Sequence, residues 1–159
     1  MRLACLVAIL ALPCSLAHAN NDPSFVSGVW VGTGVLQMED KLTNCQEVTM
    51  KFSGSPASYK FAGASFKCGD TSQDFPSADA YDIRQEGQIY FRDVHVGYLE
   101  SDRLHIDNPV AVGNKMSDDY TVIRRGDILI FTEAMGLPAT TPWFSFVAIM
   151  KKAGNAPEH

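Results

Sequence analysis

Two cysteines at the ends of an alternating segment constrain the fold of this chain more than any other sequence feature. Between Cys45 and Cys68, apolar and polar residues alternate on both sides of the segment 55–58, which has proline in its second position. Alternation predicts two strands, and proline at that position suits the fixed φ of a four-residue turn. The resulting hairpin pairs Phe52 with Phe61 and Cys45 with Cys68. The facing cysteines support this register and predict a disulfide.

The first residues predict an export signal. Arg2 precedes an apolar run, residues 3–12, and an Ala-His-Ala cleavage site ends at Ala19. The run is too short to cross a bilayer, which requires about 20 residues. We therefore expect residues 1–19 to be a signal peptide and residues 20–159 to form a single domain, located in the periplasm or outside the cell.

The cysteine content and charge fit such a compartment. Cys5 and Cys14 leave with the leader, so the remaining two of the four cysteines are expected to be a disulfide rather than free thiols or metal ligands. Loss of Arg2, the only charge in the leader, reduces the 13 basic residues of the chain to 12, against 18 acidic ones. This acidic balance argues against nucleic acid and anionic membrane surfaces as partners.

The rest of the chain is a series of short apolar strands separated by turn residues. The first strand spans residues 28–36, and further hairpins are predicted around the loops 85–87, 100–102 and 124–127. No stretch has the pattern of a capped amphipathic helix of three turns. These features predict an all-β fold, an antiparallel up-and-down β-barrel of about 8–10 strands, because closure removes the exposed sheet edges.

One face of the predicted strands carries the residues expected inside the barrel. Small residues at positions 32, 34, 63 and 65 share this face and favour some open volume. The side chains expected to line a ligand cavity are Trp30, Val48, Met50, Phe52, Phe61, Tyr98, Tyr120 and Phe146. The alternative is that these side chains fill the lumen, since barrels of this size are either packed or hold one ligand.

The outer faces are expected to carry the disulfide and two histidines. Cys45 and Cys68 lie on the parity opposite to the apolar face of the hairpin, with Phe66 beside them. His95 and His105 alternate with apolar neighbours, and no carboxylate or cysteine spacing completes a zinc site. We therefore predict neither a metal site nor a cofactor.

Catalytic motifs are absent from the sequence. No serine, cysteine or aspartate lies in a recognisable nucleophile motif, and no glycine-rich phosphate loop precedes a helix. Carboxylates are scattered through predicted turns, as at Glu86, Asp118 and Asp119, without an evident acid–base pair. We therefore expect a protein that is not an enzyme. The integrin-binding tripeptide at residues 125–127 is interpreted as a tight turn.

The first strand resembles the first motif of lipocalins and related calycin barrels. Gly28 and Trp30 form the Gly-x-Trp of that motif near the expected mature N-terminus. Asp119 and Tyr120 resemble part of the second lipocalin motif, Thr-Asp-Tyr, with Asp118 in place of the threonine. The resemblance implies a calycin-like barrel with a cavity for an apolar small molecule.

Lipocalins also place a basic residue from a late strand over the tryptophan, and here Arg124, Arg125 and Lys151 are the candidates. The chain departs from each related family. Residues 133–142 do not read as the lipocalin helix, and residues 38–44 are too few for the helical lid of fatty-acid-binding proteins. The Gly-Thr-Trp start of nitrobindin-like barrels is similar, but the last strand here lacks the histidine with which they bind haem.

Together these observations predict an exported protein that holds an apolar small molecule inside a β-barrel. The loops 69–77 and 134–142 are expected to gate the barrel mouth. The alternative function is a protein-interaction module, such as an exported protease inhibitor or adhesin, on a filled barrel. Its binding surface would then be the loops and the outer face around Phe66 and the two cysteines, Cys45 and Cys68.

Overall fold

The structure, a computed structural model, describes residues 22–77, 79–107, 117–137 and 141–154, so the predicted leader lies outside the described residues. Eleven strands form a single sheet. They are β1 (Gly28–Met38), β2 (Lys41–Ser55), β3 (Ser58–Cys68), β4 (Thr71–Phe75), β5 (Ala80–Ile83), β6 (Gln88–Phe91), β7 (Val94–Leu99), β8 (Arg103–Asp107), β9 (Ser117–Arg125), β10 (Ile128–Gly136) and β11 (Phe144–Lys152). Two 3-10 helices span Pro23–Val26 and Gln85–Gly87.

The sheet closes into a barrel because β1 pairs with both β2 and β11, while β2 also pairs with β3. All pairings are antiparallel. They join strands that are consecutive along the chain, except for β1 with β11 and β3 with β5. β3 pairs with β5 along Ser58–Lys60 and with β4 along residues 64–68, so β4 and β5 occupy one position in the ring. The predicted all-β, antiparallel up-and-down barrel is confirmed, with eleven strands rather than eight to ten.

Period-two alternation explains why these segments form strands. In β11, Phe144, Phe146 and Met150 are buried in the lumen, whereas Val147 and Ile149 between them point outward and are exposed. A segment with this pattern buries its apolar face only as a strand of a curved sheet. The inward side chains of every strand except β4, whose residues are all exposed, form one continuous core.

The β2–β3 hairpin has the predicted register at both ends. Phe52 pairs with Phe61, and Cys45 pairs with Cys68, with which it forms a disulfide. Between these pairs the register shifts by one residue and then shifts back. The two β-bulges therefore cancel, and the hairpin closes as the turn and the cysteines predict.

The same bulges correct the predicted faces of this hairpin. Gln46 is the extra residue of β2, and it turns Cys45 from the expected outer face into the buried core. Ala62 is the extra residue of β3, and it likewise places Cys68 and Phe66 in the core. The prediction that the disulfide lies on the outer face with Phe66 is wrong, because each extra residue inverts the alternation that follows it.

One end of the barrel is closed by the 3-10 helix Pro23–Val26. Asp22 caps this helix by accepting a hydrogen bond from the backbone N–H of Ser24 at 2.9 Å. Val26 is fully buried, and its carbonyl accepts a hydrogen bond from Trp30 Nε1 at 2.6 Å. The N–H of Gly54, near the β2–β3 turn, donates to Ser27 Oγ at 2.8 Å. We call this side the closed end.

The opposite side is called the open end. It carries the β8–β9 and β10–β11 connections, of which the structure describes only parts. Both predicted gating loops contain strand residues: β4 (Thr71–Phe75) lies within 69–77, and β10 continues to Gly136 in 134–142. Residues 138–140 of the second loop lie outside the described residues. These two segments, expected from the sequence to be loops, are therefore strands in part.

Candidate functional site

The predicted cavity residues, apart from one, point into the barrel. Those inside are Trp30, Val48, Met50, Phe52, Phe61, Tyr120 and Phe146. Tyr98 is the exception: it is 37% exposed, and its ring lies 5.2 Å from that of His105 on the outer face. Val96 is an extra residue of β7, where the register with β6 shifts. This bulge places Leu99 inside and Tyr98 outside, so the prediction for Tyr98 is wrong.

The two histidines lie on the outer face, as their neighbours predict. His95 is exposed, and its ring contacts that of Tyr90 at 5.4 Å. His105 Nδ1 lies 3.0 Å from Thr121 Oγ1 and 3.7 Å from an oxygen of Asp119. Within the part of the chain that the structure describes, no group of three or more His, Cys, Asp or Glu side chains is arranged to hold a metal ion.

Side chains pack the closed half of the barrel. Trp30 is fully buried there, and the guanidinium carbon of Arg124 lies 6.0 Å from its ring centre. Arg124 Nη1 also donates to the carbonyl of Phe25 in the 3-10 helix at 3.2 Å. Arg125 instead pairs with an exposed aspartate, and Lys151 lies 3.5 Å from Asp127. Of the three basic candidates, Arg124 is therefore the residue over the tryptophan.

A cavity of about 290 Å³ lies inside the barrel between β3–β5 on one side and β9–β10 on the other. We call it the acidic cavity. Its apolar walls are Phe61, Phe75, Pro76, Tyr81, Tyr120 and Phe131. Its polar walls are Ser77, Asp79, Asp118 and Glu133. Of the residues predicted to bind a ligand, only Phe61 and Tyr120 line this cavity.

The strand register brings Asp118 and Glu133 together. Glu133 pairs with Tyr120, and Met135 pairs with Asp118, so the two carboxyl groups are diagonal neighbours on adjacent strands. Diagonal neighbours on one face lie within reach of long side chains. Asp118 and Glu133 also share this inward face with Phe131. The barrel therefore contains a carboxyl pair, called here the acid pair, where the sequence predicts scattered acidic residues in turns.

Burial governs the protonation of the acid pair. Loss of hydration, followed by repulsion from Asp118 and the hydrogen bond between the two groups, raises the pKa of Glu133 to about 8. Burial also raises the pKa of Asp118 to about 6, supported by the charges of Asp79, Asp119 and Asp107. At neutral pH the pair therefore retains one proton and carries one negative charge.

Tyrosine hydroxyls cluster beside this pair. The buried hydroxyl of Tyr120 lies next to those of Tyr59 and Tyr81, which are its hydrogen-bonding neighbours. Burial raises the pKa of Tyr59 and Tyr120, which keeps both phenols neutral. Asp118 Oδ1 is a buried oxygen with no hydrogen-bond partner in the described chain. An unpaired buried polar atom costs about 1–3 kcal/mol, so a hydrogen-bond donor placed at this oxygen would be stabilising.

A second concavity, of about 340 Å³, opens near the β1–β2 and β3–β4 hairpins. Leu36, Phe66 and Cys68 form its floor, and exposed residues such as Lys41 and Asp70 form its rim. The buried oxygen without a partner, Asp118 Oδ1, lies in the acidic cavity instead. The acidic cavity is therefore the stronger candidate site.

The comparisons with known proteins leave the family of this chain open. No protein-family model matches it, and no curated protein matches it. One solved structure is similar: a protein of unknown function from the DUF3598 family of Nostoc punctiforme, with a TM-score of 0.47 and 9% sequence identity. The similarity covers 87% of this chain but only 53% of that protein. The described residues contain no helix with the length and apolar character needed to cross a membrane.

Proposed function

We propose that this protein is an exported, calycin-like barrel that holds a small molecule in the acidic cavity. The observation that carries this proposal is a cavity of about 290 Å³ with aromatic walls in a closed barrel. Binding would bury apolar ligand surface against those walls, at about 25 cal/mol per Å². The protein would act by sequestering or carrying its ligand, without a chemical step.

The packing of the closed end supports the calycin-like assignment. Arg124 lies over the ring of Trp30 on β1, which is the contact that the resemblance to lipocalins implies. The 3-10 helix before β1 adds hydrogen bonds to both side chains. This arrangement fixes one end of the barrel and leaves ligand access to the other. Asp118 lies near the start of β9, and Glu133 lies near the end of β10. The acid pair is therefore at the open end.

The size of the cavity narrows the ligand class. Pockets for drug-sized ligands usually span about 300–1,000 Å³, and this cavity lies at the lower limit. Met50, Phe52 and Phe146 occupy lumen volume that a long acyl chain would need. A compact ligand, about the size of one aromatic ring with a short substituent, therefore fits better than a fatty acid.

Export is supported by the disulfide between Cys45 and Cys68. Such bonds persist in oxidising compartments and are rare in the cytosol, where thiols are kept reduced. The predicted leader at residues 1–19 provides the corresponding signal. We therefore propose a periplasmic or extracellular location.

Filling the cavity tests the proposed function. Phe61→Trp enlarges a wall residue of the acidic cavity, so it should abolish uptake of small aromatic ligands by the folded protein. Tyr98→Trp, a substitution on the outer face, is the matched control and should bind as the parent does. Native mass spectrometry and titration calorimetry measure the uptake. Equal binding by both variants would place the ligand elsewhere.

The alternative, a protein-interaction module, is supported by a different observation. The outer face of β1 and β11 exposes an apolar patch, whose members are 38–56% exposed: Val29, Val31, Val35, Val147 and Ile149. Apolar patches on a surface often mark protein contacts. The sequence places the interface of this alternative around Phe66 and the two cysteines, but Phe66 is buried. A barrel that takes up no small molecule but co-purifies with a protein bound to this patch would favour the alternative.

A further inference from the structure

The polar wall of the acidic cavity has one sign of charge. Asp79, Asp118 and Glu133 supply carboxyl groups, and Ser77 supplies a hydroxyl that donates to Asp79 at 3.3 Å. Of the described residues that line the cavity, none is Lys, Arg or His. An anionic ligand would therefore be repelled, whereas a cation would find its counter-charge in place.

One buried oxygen of this wall has no hydrogen-bond donor. Asp118 Oδ1 is buried and has no partner in the described chain. The hydroxyl of Tyr120, a residue only 4% exposed, is instead next to those of Tyr59 and Tyr81. A carboxylate oxygen accepts hydrogen bonds but cannot donate them, so the group missing at Asp118 is a donor. A ligand N–H group satisfies this requirement.

The aromatic walls complete the environment of a cation. The rings of Phe61 and Phe131 lie 6.3 Å apart, and those of Tyr120 and Phe131 lie 5.7 Å apart. Tyr81 adds a further ring to this lining. Aromatic faces attract cations and also pack against flat apolar groups. The cavity therefore offers both an anionic end and an aromatic compartment.

From this arrangement we infer that the ligand is a compact organic amine, bound as its monocation, with the ammonium group on the acid pair of Asp118 and Glu133 and the apolar body against the rings of Phe61 and Phe131. This inference rests on the proposed function and assigns its ligand class. The acid pair supplies one negative charge at neutral pH, which matches one ammonium group.

Three probes of similar shape separate charge from shape. Phenethylamine, phenethyl alcohol and hydrocinnamate share one aromatic ring and a short chain, and they end in a cation, a neutral hydroxyl and an anion. Titration calorimetry of the mature, disulfide-bonded protein at pH 7 should show about tenfold or more tighter binding of the amine than of the alcohol. Hydrocinnamate should bind most weakly.

Isosteric variants identify the residues that set this preference. Asp118→Asn should reduce the preference for the amine over the alcohol about tenfold, because it removes the charge and retains the shape. Glu133→Gln should reduce it less, since Glu133 retains the shared proton at pH 7. The control is Asp119→Asn, a neighbouring carboxylate that is exposed and pairs with His105 on the outer face. It should leave the preference unchanged.

The pH profile provides a second readout. Amine affinity should fall as the pH decreases through about 6, because Asp118 then becomes protonated. Burial raises the pKa of Asp118, and the hydrogen bond with Glu133 on β10 lowers it. The charges of Asp79 between β4 and β5, Asp119 on β9 and Asp107 on β8 raise it further. Alcohol affinity should vary much less over this range, and Asp118→Asn should flatten the profile of the amine.

The outcomes separate this inference from the proposed function. Equal affinity for amine and alcohol, or a preference that survives in both Asp118→Asn and Glu133→Gln, would overturn the amine assignment and leave small-molecule binding intact. Failure of all three probes, together with failure of fatty acids, retinoids and haem to bind, would overturn both.

Discussion

Glu133 is an acidic residue at a position of β10 whose side chain points into the barrel. It follows Leu129 and Phe131 at two-residue spacing, and both of these side chains are buried in the core. Removal from water and the nearby charge of Asp118 favour its protonated form. The folded protein therefore holds a proton that the unfolded chain releases near pH 4.5.

This residue predicts how stability depends on pH. The folded-state pKa of Glu133, about 8, exceeds its ordinary value of 4.5, so its ionisation lowers the free energy of unfolding as the pH rises between these values. Glu133→Gln removes this penalty and should stabilise the fold at pH 8 by on the order of 2 kcal/mol. At pH 4 the gain should be near zero. Denaturant unfolding at both pH values measures the difference.

Glu47→Gln is the matched control for this prediction, because Glu47 is exposed on β2. Its effect on the free energy of unfolding should be small and similar at pH 4 and pH 8. A Glu133→Gln variant whose stability relative to the parent is the same at both pH values would contradict the raised pKa. It would also remove the basis for a shared proton in the acid pair.

The sequence contains the signal that locates both carboxyl groups. Asp118 precedes Tyr120 and Val122 at the same two-residue spacing that Glu133 shows after Phe131. The strands predicted on either side of the loop 124–127 are shorter than β9 and β10, so both acidic residues are expected outside them, in the connecting segments. Their closeness depends in addition on the register between β9 and β10, which the spacing within either strand does not determine.

At the scale of elements, the β2–β3 hairpin shows what the local sequence determines and what it leaves open. The turn and the cysteines predict both terminal pairings correctly. The two bulges, at Gln46 and Ala62, have no comparable signal because an extra residue leaves the composition of a strand unchanged. Gly63, beside the second bulge, has φ +126°, a conformation that glycine adopts readily and other residues rarely do. This glycine is the one local indication of the shift.

The disulfide of this hairpin predicts a loss of stability on its removal. The Cys45→Ala/Cys68→Ala double variant should lower the free energy of unfolding by about 3 kcal/mol, because the unfolded chain regains the freedom of the closed loop. Reducing the parent protein should cause a similar loss and provides the control. Denaturant unfolding with and without reductant measures both. A double variant as stable as the oxidised parent would contradict a stabilising role.

At the scale of the whole molecule, the tightest packing and the candidate binding site lie towards different ends of the barrel. The closed end is a packed assembly of Trp30, the 3-10 helix Pro23–Val26 and Arg124. The acidic cavity lies towards the other end and shares none of these residues. Substitutions at the closed end should therefore change stability without changing ligand preference.

Arg124 allows a test of this separation. Arg124→Met keeps an apolar stem but loses the hydrogen bond to Phe25 and the contact with Trp30, so it should lower the free energy of unfolding by about 1–2 kcal/mol. Arg125→Met, which breaks only an exposed ion pair with Asp102, should cost less than about 0.5 kcal/mol. Both variants should keep the parent's preference among the three probes. A changed preference in Arg124→Met would show that the two ends are coupled.

The shared ring position of β4 and β5 has a consequence for how this architecture diversifies. Both strands are anchored on β3, so the connection between them, which contributes Pro76, Ser77 and Asp79 to the acidic cavity, is not needed to keep the ring closed. Insertions or deletions in this connection would reshape the binding space from the side while the surrounding hydrogen-bond ladders persist. Related barrels can thus acquire new ligand preferences through short changes in this connection that leave the strand pairing unchanged.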